Sequence, residues 1–96
     1  MNEHEIINTE HRYMANVFAK KPIVAIKGKG ALLWDIKGRE YIDCTSAYGV
    51  SVVGHCHPKV VNAIKTQAEQ LIACHSSLYN NSRSDFLQKL MAITPF

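Results

Sequence analysis

The chain has 96 residues, 47% of them hydrophobic and 20% charged, with a formal net charge of +3. This is globular composition rather than that of a disordered segment, and it excludes a chain held open by its own charge. The basic residues are scattered, from Lys20 and Lys21 through Lys37 and Arg39 to Lys89, with no compact stripe interleaved with aromatics, so nucleic acid is not an expected partner.

No apolar run approaches the roughly 18–20 residues of a membrane span, so no membrane partner is expected. Glu3 and Glu5 stand where a secretory leader would be basic. The cysteines, Cys44, Cys56 and Cys74, are odd in number and sparse. Reduced thiols in a cytoplasmic protein are the simplest reading.

In chain order, Glu3–Phe18 carries a loose helical pattern that Pro22 ends. Three short strands follow: Ile23–Ile26, stopping at Gly28-Lys29-Gly30; Ala31–Ile36, stopping at Lys37-Gly38; and Glu40–Cys44. Two glycine turns at this spacing predict an antiparallel meander. Thr45–Val53 is small and mixed, with no clear period, and reads as a connection passing close to something. Pro58 then opens the strongest helix, its apolar face formed by Val60, Val61, Ile64, Ala68, Leu71 and Ile72, with an end expected near Cys74. After a polar loop, Ser82 and Asp85 resemble a capping box for a second amphipathic helix, which Pro95 stops. Local pattern leaves open whether these elements close a core alone or form the first layer of something larger.

The densest chemical cluster is His55-Cys56-His57, with Cys74-His75 one helix away and Cys44 before it. Imidazole and thiolate are good zinc ligands. However, Cys74 lies across a helix about 25 Å long at about 1.5 Å per residue, so one ion is not easily reached from both ends. The plainer reading has His57-Pro58 starting a helix while the cysteines pack as small apolar groups. Cys56 as a nucleophile near a helix N-terminus lacks an orienting third group. Gly28-Lys29-Gly30 has neither the spacing nor the following helix of a phosphate loop, and reads as a turn. Tyr48 and Tyr79 each lie in an irregular segment, where a phenol offers one hydrogen bond beside an apolar wall. From spacing alone, packing at a surface is the favoured reading for both.

Four segments follow in order at close spacing: Gly-Lys-Gly-Ala-Leu-Leu-Trp-Asp (28–35), Gly-Arg-Glu-Tyr-Ile-Asp (38–43), Gly-His-Cys-His-Pro-Lys-Val-Val (54–61) and Ser-Leu-Tyr-Asn-Asn (77–81). Together they resemble the N-terminal region of class III aminotransferases, of the acetylornithine, ornithine and carrier-protein-linked lysine type. The resemblance implies an α/β protein of fold type I, α+β in this part, with a small antiparallel meander plus amphipathic helices. Residues 1–96 would be the N-terminal segment of the small domain, without the large cofactor-binding domain. The implied parent is a homodimer that uses pyridoxal 5'-phosphate to pass a terminal amino group from an ornithine- or lysine-like substrate to 2-oxoglutarate.

The same resemblance makes Tyr48 and Tyr79 substrate-binding. It gives His55 and His57 only a part in setting the loop-to-helix turn. It assigns no catalytic, cofactor-binding or metal residue here, because the imine-forming lysine belongs to a later region that this chain lacks. The chain alone is then expected to be inactive and not to hold the cofactor stably. The competing readings are a non-catalytic interaction module and a small His/Cys metal-binding domain.

Overall fold

A capping box starts the first helix, α1 (Glu3–Tyr13): the Asn2 side chain accepts from the Glu5 amide at 3.0 Å, and the Glu5 carboxylate accepts from the Asn2 amide at 2.8 Å. Glu3 and Glu5 sit in its first turn and His11 and Arg12 in its last, both favourable to the helix dipole. The helix stops five residues short of the expected Phe18, with Met14 in extended backbone. The chain folds back there: Lys20 pairs with the Glu10 carboxylate and its ammonium lies 3.1 Å from the Met14 sulfur. This computed structural model describes residues 1–95, which fall into two compact units, one from Met1 to Val61 and one from Asn62 onward.

The first unit holds α1 and the expected antiparallel meander, β1 (Ala25–Lys29), β2 (Leu32–Asp35) and β3 (Glu40–Ile42), in the order β1-β2-β3. Lys27 faces Trp34 and Lys29 faces Leu32, with a bulge between Ala25 and Lys27, while Leu33 faces Tyr41. The Lys27 ammonium lies 4.7 Å from the centroid of the Trp34 ring, a cation–π contact. β1 corrects the expectation of a strand that stops before Gly28. Gly28 and Lys29 continue it, because their backbones pair with Leu33 and Leu32, and the turn falls at Gly30-Ala31 instead. After β3 comes α2 (Ser46–Gly49), a single left-handed turn.

α3 (Pro58–Gln70) begins at Pro58 as expected but ends before Cys74. Gln67 accounts for the early stop: its side-chain amide donates to the Leu71 carbonyl at 2.9 Å, giving a terminal acceptor a partner that a further turn would have supplied. In the second unit, α4 (Asn81–Ile93) is capped by Asn80, whose side chain accepts from the Arg83 amide at 2.9 Å. The expected Ser82–Asp85 box is therefore not the cap. Ser82 lies inside the helix, and its hydroxyl donates to the Gln67 side chain at 3.0 Å.

Among the described residues, Asp35 alone is buried and no hydrophobic side chain is. The apolar faces of α3 and α4 are formed as the periodicity requires, yet they lie open, with Ile64 63% and Phe86 60% exposed.

Candidate functional site

Two carboxylates organise the first unit. Asp35 ends β2 and opens a turn in which the Gly38 amide donates to its carbonyl at 2.9 Å. Its Oδ1 accepts from the amides of Lys37 and Arg39, both at 2.9 Å. Its Oδ2 accepts from Arg39 Nε at 2.7 Å and from the Tyr41 hydroxyl at 2.9 Å. Burial alone would raise this pKa; the Arg39 amide, the Tyr41 hydroxyl, the guanidinium and the Lys37 amide outweigh it and hold the group at about 2. Its own hydrogen bond to Asp35 raises Tyr41, which keeps its proton to donate, and the guanidinium bond to Asp35 raises Arg39. Glu3 of α1 extends the network to Lys37 and lies 3.8 Å from Arg39.

Asp43 follows β3. Its Oδ1 accepts from the Thr45 amide at 2.9 Å, the Thr45 hydroxyl at 2.8 Å and the Ser46 amide at 3.1 Å. Its Oδ2 lies 2.6 Å from His55 Nε2. The Thr45 amide, the His55 ring and the Thr45 hydroxyl hold the carboxyl at about 2, against a smaller opposing effect of burial.

The segment that these bonds reach is strained. Ser46, Ala47 and Tyr48 have φ of 49°, 50° and 57°, the left-handed region, and none is glycine. Each such residue costs on the order of 1–2 kcal/mol, so the surroundings must hold them there. Within the turn the Gly49 amide donates to the Thr45 carbonyl at 3.3 Å and the Ser51 amide to the Ser46 carbonyl at 2.9 Å.

His55 is fixed independently of Asp43. Its backbone pairs with Gly30, the two amides donating to the two carbonyls at 2.8 and 3.0 Å. Its ring lies over Gly28, where an added Cβ would sit 2.8 Å from the His55 Cβ and Cγ. Gly54 has φ of +86°, and a Cβ there would lie 3.0 Å from the Gly30 Cα. Close approach of the His55 side chain at Gly28 and of the Gly30 backbone at Gly54 explains the two glycines. The glycines of 28–30 are thus the seat of His55.

Tyr48 projects from the left-handed turn with its side chain 99% exposed. Tyr79, in the second unit, is 101% exposed. It follows a turn in which the Leu78 amide donates to the His75 carbonyl at 3.0 Å, and it precedes the Asn80 cap. Each tyrosine is therefore presented by a locally hydrogen-bonded segment rather than packed against a surface.

Among the described residues, no three His, Cys, Asp or Glu side chains meet to hold a metal ion. His57 Nδ1 accepts from the Lys59 amide at 3.2 Å, at the turn into α3, while the His75 ring bonds Ser77. Cys44, Cys56 and Cys74 are exposed thiols rather than the packed groups expected. Sequence reasoning missed the Asp43–His55 pair. Asp two residues before Thr is a readable turn signature, but a partner twelve positions away is not.

The class III aminotransferase family profile matches residues 13–96, and the chain belongs to that family. It is similar to the acetylornithine aminotransferase of Methanosarcina mazei, 43% identical over 89 residues, covering 93% of this chain and 22% of that protein. It is also similar to the [LysW]-aminoadipate semialdehyde transaminase of Deinococcus radiodurans, 39% identical over 94 residues, covering 98% of this chain and 22% of that one. Among solved structures, the acetylornithine aminotransferase of Elizabethkingia anophelis superposes with a TM-score of 0.94 at 32% identity, over 100% of this chain and 25% of the other. The fold is that of the N-terminal part of these pyridoxal-phosphate-dependent enzymes. The chain spans about a quarter or less of the length of the proteins it matches.

Proposed function

We propose that this chain is the N-terminal, substrate-facing segment of the small domain of a cytoplasmic, homodimeric class III aminotransferase. The parent reaction transfers the terminal amino group of an ornithine- or lysine-like amino acid to 2-oxoglutarate, in amino-acid biosynthesis. The observation that carries this reading is the match over residues 13–96 to proteins named for that chemistry. Tyr48 and Tyr79 are the substrate-binding residues, Tyr48 offering its hydroxyl to the polar end of the amino acid.

The family uses pyridoxal 5'-phosphate, which serves as the electron sink when bound. The residues of this chain do not fit that group. Lys20 is taken by Glu10, Lys37 by Glu3, and Lys27 lies over Trp34. Lys21, Lys29, Lys59, Lys65 and Lys89 are exposed, as are these three, so none of the eight lysines is a buried amine held for an imine. This supports an imine-forming lysine outside these residues, and no catalytic step is assigned to the chain.

The test has two parts. The 96-residue chain, mixed with pyridoxal phosphate, N-acetylornithine and 2-oxoglutarate, is expected to give neither an imine absorbance nor glutamate. Residues 13–96 substituted for the matching segment of the Methanosarcina enzyme are expected to give an active holoenzyme. In that enzyme Tyr48→Phe is expected to raise KM for the amino substrate about three- to tenfold, the worth of one hydrogen bond. An imine on the isolated chain, or an unchanged KM, would overturn the respective part.

A further inference from the structure

We propose that Asp43 and His55 are positioning residues, which together clamp Thr45–Gly49 in its left-handed turn and so aim Tyr48. The inference rests on the substrate-facing reading of Tyr48 for its purpose, but not for its geometry. Asp43 closes on the turn with three donors from Thr45 and Ser46 through one oxygen, and on His55 through the other at 2.6 Å. His55 is in turn anchored to the meander by its backbone pairing with Gly30 and by its ring over Gly28. The clamp thus ties the hairpin formed by β1 and β2 to the turn that carries the phenol.

Three successive non-glycine residues at positive φ would relax to right-handed or extended backbone without such a tie. Both carboxylate oxygens are used, so the device is complete: remove either partner and one end of the link is lost. Position 43 therefore needs a carboxylate with two separately directed oxygens. Position 55 needs a ring that reaches Asp43 while its backbone stays in the bridge.

The experiment is limited chymotrypsin digestion of the full 96-residue chain, dilute and without substrate or cofactor, with cleavage read by mass at each tyrosine. A protease takes its target as extended backbone, so a clamped left-handed turn must open before it is cut. Tyr48 and Tyr79 have equal exposure, 99% and 101%, and half-buried Tyr41 reports on the sheet. In the wild type, Tyr48 is expected to be cut more slowly than Tyr79.

Asp43→Asn is expected to raise cleavage after Tyr48 about tenfold, through loss of charge-assisted bonds, with Tyr41 still protected. Should Asp43→Asn open the sheet as well, His55→Gln, which keeps the Gly30 bridge, decides the matter by a selective rise at Tyr48. Unchanged cleavage at Tyr48, or a rise at Tyr41 and Tyr48 together in both variants, would overturn the clamp. The KM of Tyr48→Phe plays no part in this assay, so a failed clamp and a failed substrate reading are told apart.

Discussion

Asp35 and Asp43 set the acid behaviour of the first unit. Each carboxyl is lowered from the ordinary 3.8 to about 2 in the folded chain. A depressed folded pKa contributes stability that is fully present above the unfolded value and is lost as pH falls through the folded one. The meander is therefore expected to weaken between about pH 4 and pH 2 and to be insensitive to these groups above that range. Near-UV circular dichroism of the Trp34 environment against pH checks this, and Asp35→Asn should flatten the transition. Gly28→Ala tests close packing at the same scale. A methyl group 2.8 Å from two carbons of His55 forces one of them to move, at a cost of about 1–3 kcal/mol by denaturant titration of the active hybrid enzyme.

At the scale of elements, caps explain where helices begin better than periodicity does. α4 starts from Asn80, and Asn80→Ala is expected to cost about 1 kcal/mol. Ser82→Ala, which loses only an exposed bond to Gln67, should stay within about 0.5 kcal/mol. Thermal melts of the two variants in the active hybrid enzyme separate these outcomes. Both Asn80 and Ser82 are good capping residues, followed three positions later by Arg83 and Asp85. Sequence favoured the second pair because it looks like a reciprocal box. The structure uses the first, because extended backbone at Asn80 points its carboxamide at the Arg83 amide. β1 was misplaced for a similar reason. A glycine reads as a break, but Gly28 stays in register when a histidine ring needs the space of its missing side chain.

At the scale of the whole molecule, the described residues bury one aspartate and no apolar side chain. Such a chain lacks the dominant stabilising contribution of a folded domain. Isolated, it is expected to bind a hydrophobic dye, to associate as concentration rises in sedimentation velocity, and to lose α3 and α4 without a cooperative transition, while the hydrogen-bonded meander and turn of the first unit persist under native conditions. A sharp, concentration-independent melt would instead favour a self-standing interaction module. The open faces of α3 and α4 agree with a span of 22% of the Methanosarcina and Deinococcus relatives, whose remaining length is available to cover such faces.

By itself the sequence determined the meander, two amphipathic helices, the helix start at Pro58 and the family, because these rest on local period, turn chemistry and ordered motifs. It also singled out Tyr48 and Tyr79 as residues standing in irregular segments. Only the tertiary structure decided that Asp43 and His55 meet, that Gly28 and Gly54 are spaces for another backbone or ring, and that Ser46–Tyr48 turn left-handed. Those features depend on groups up to 27 positions apart being brought into contact, and no local period records such a pairing.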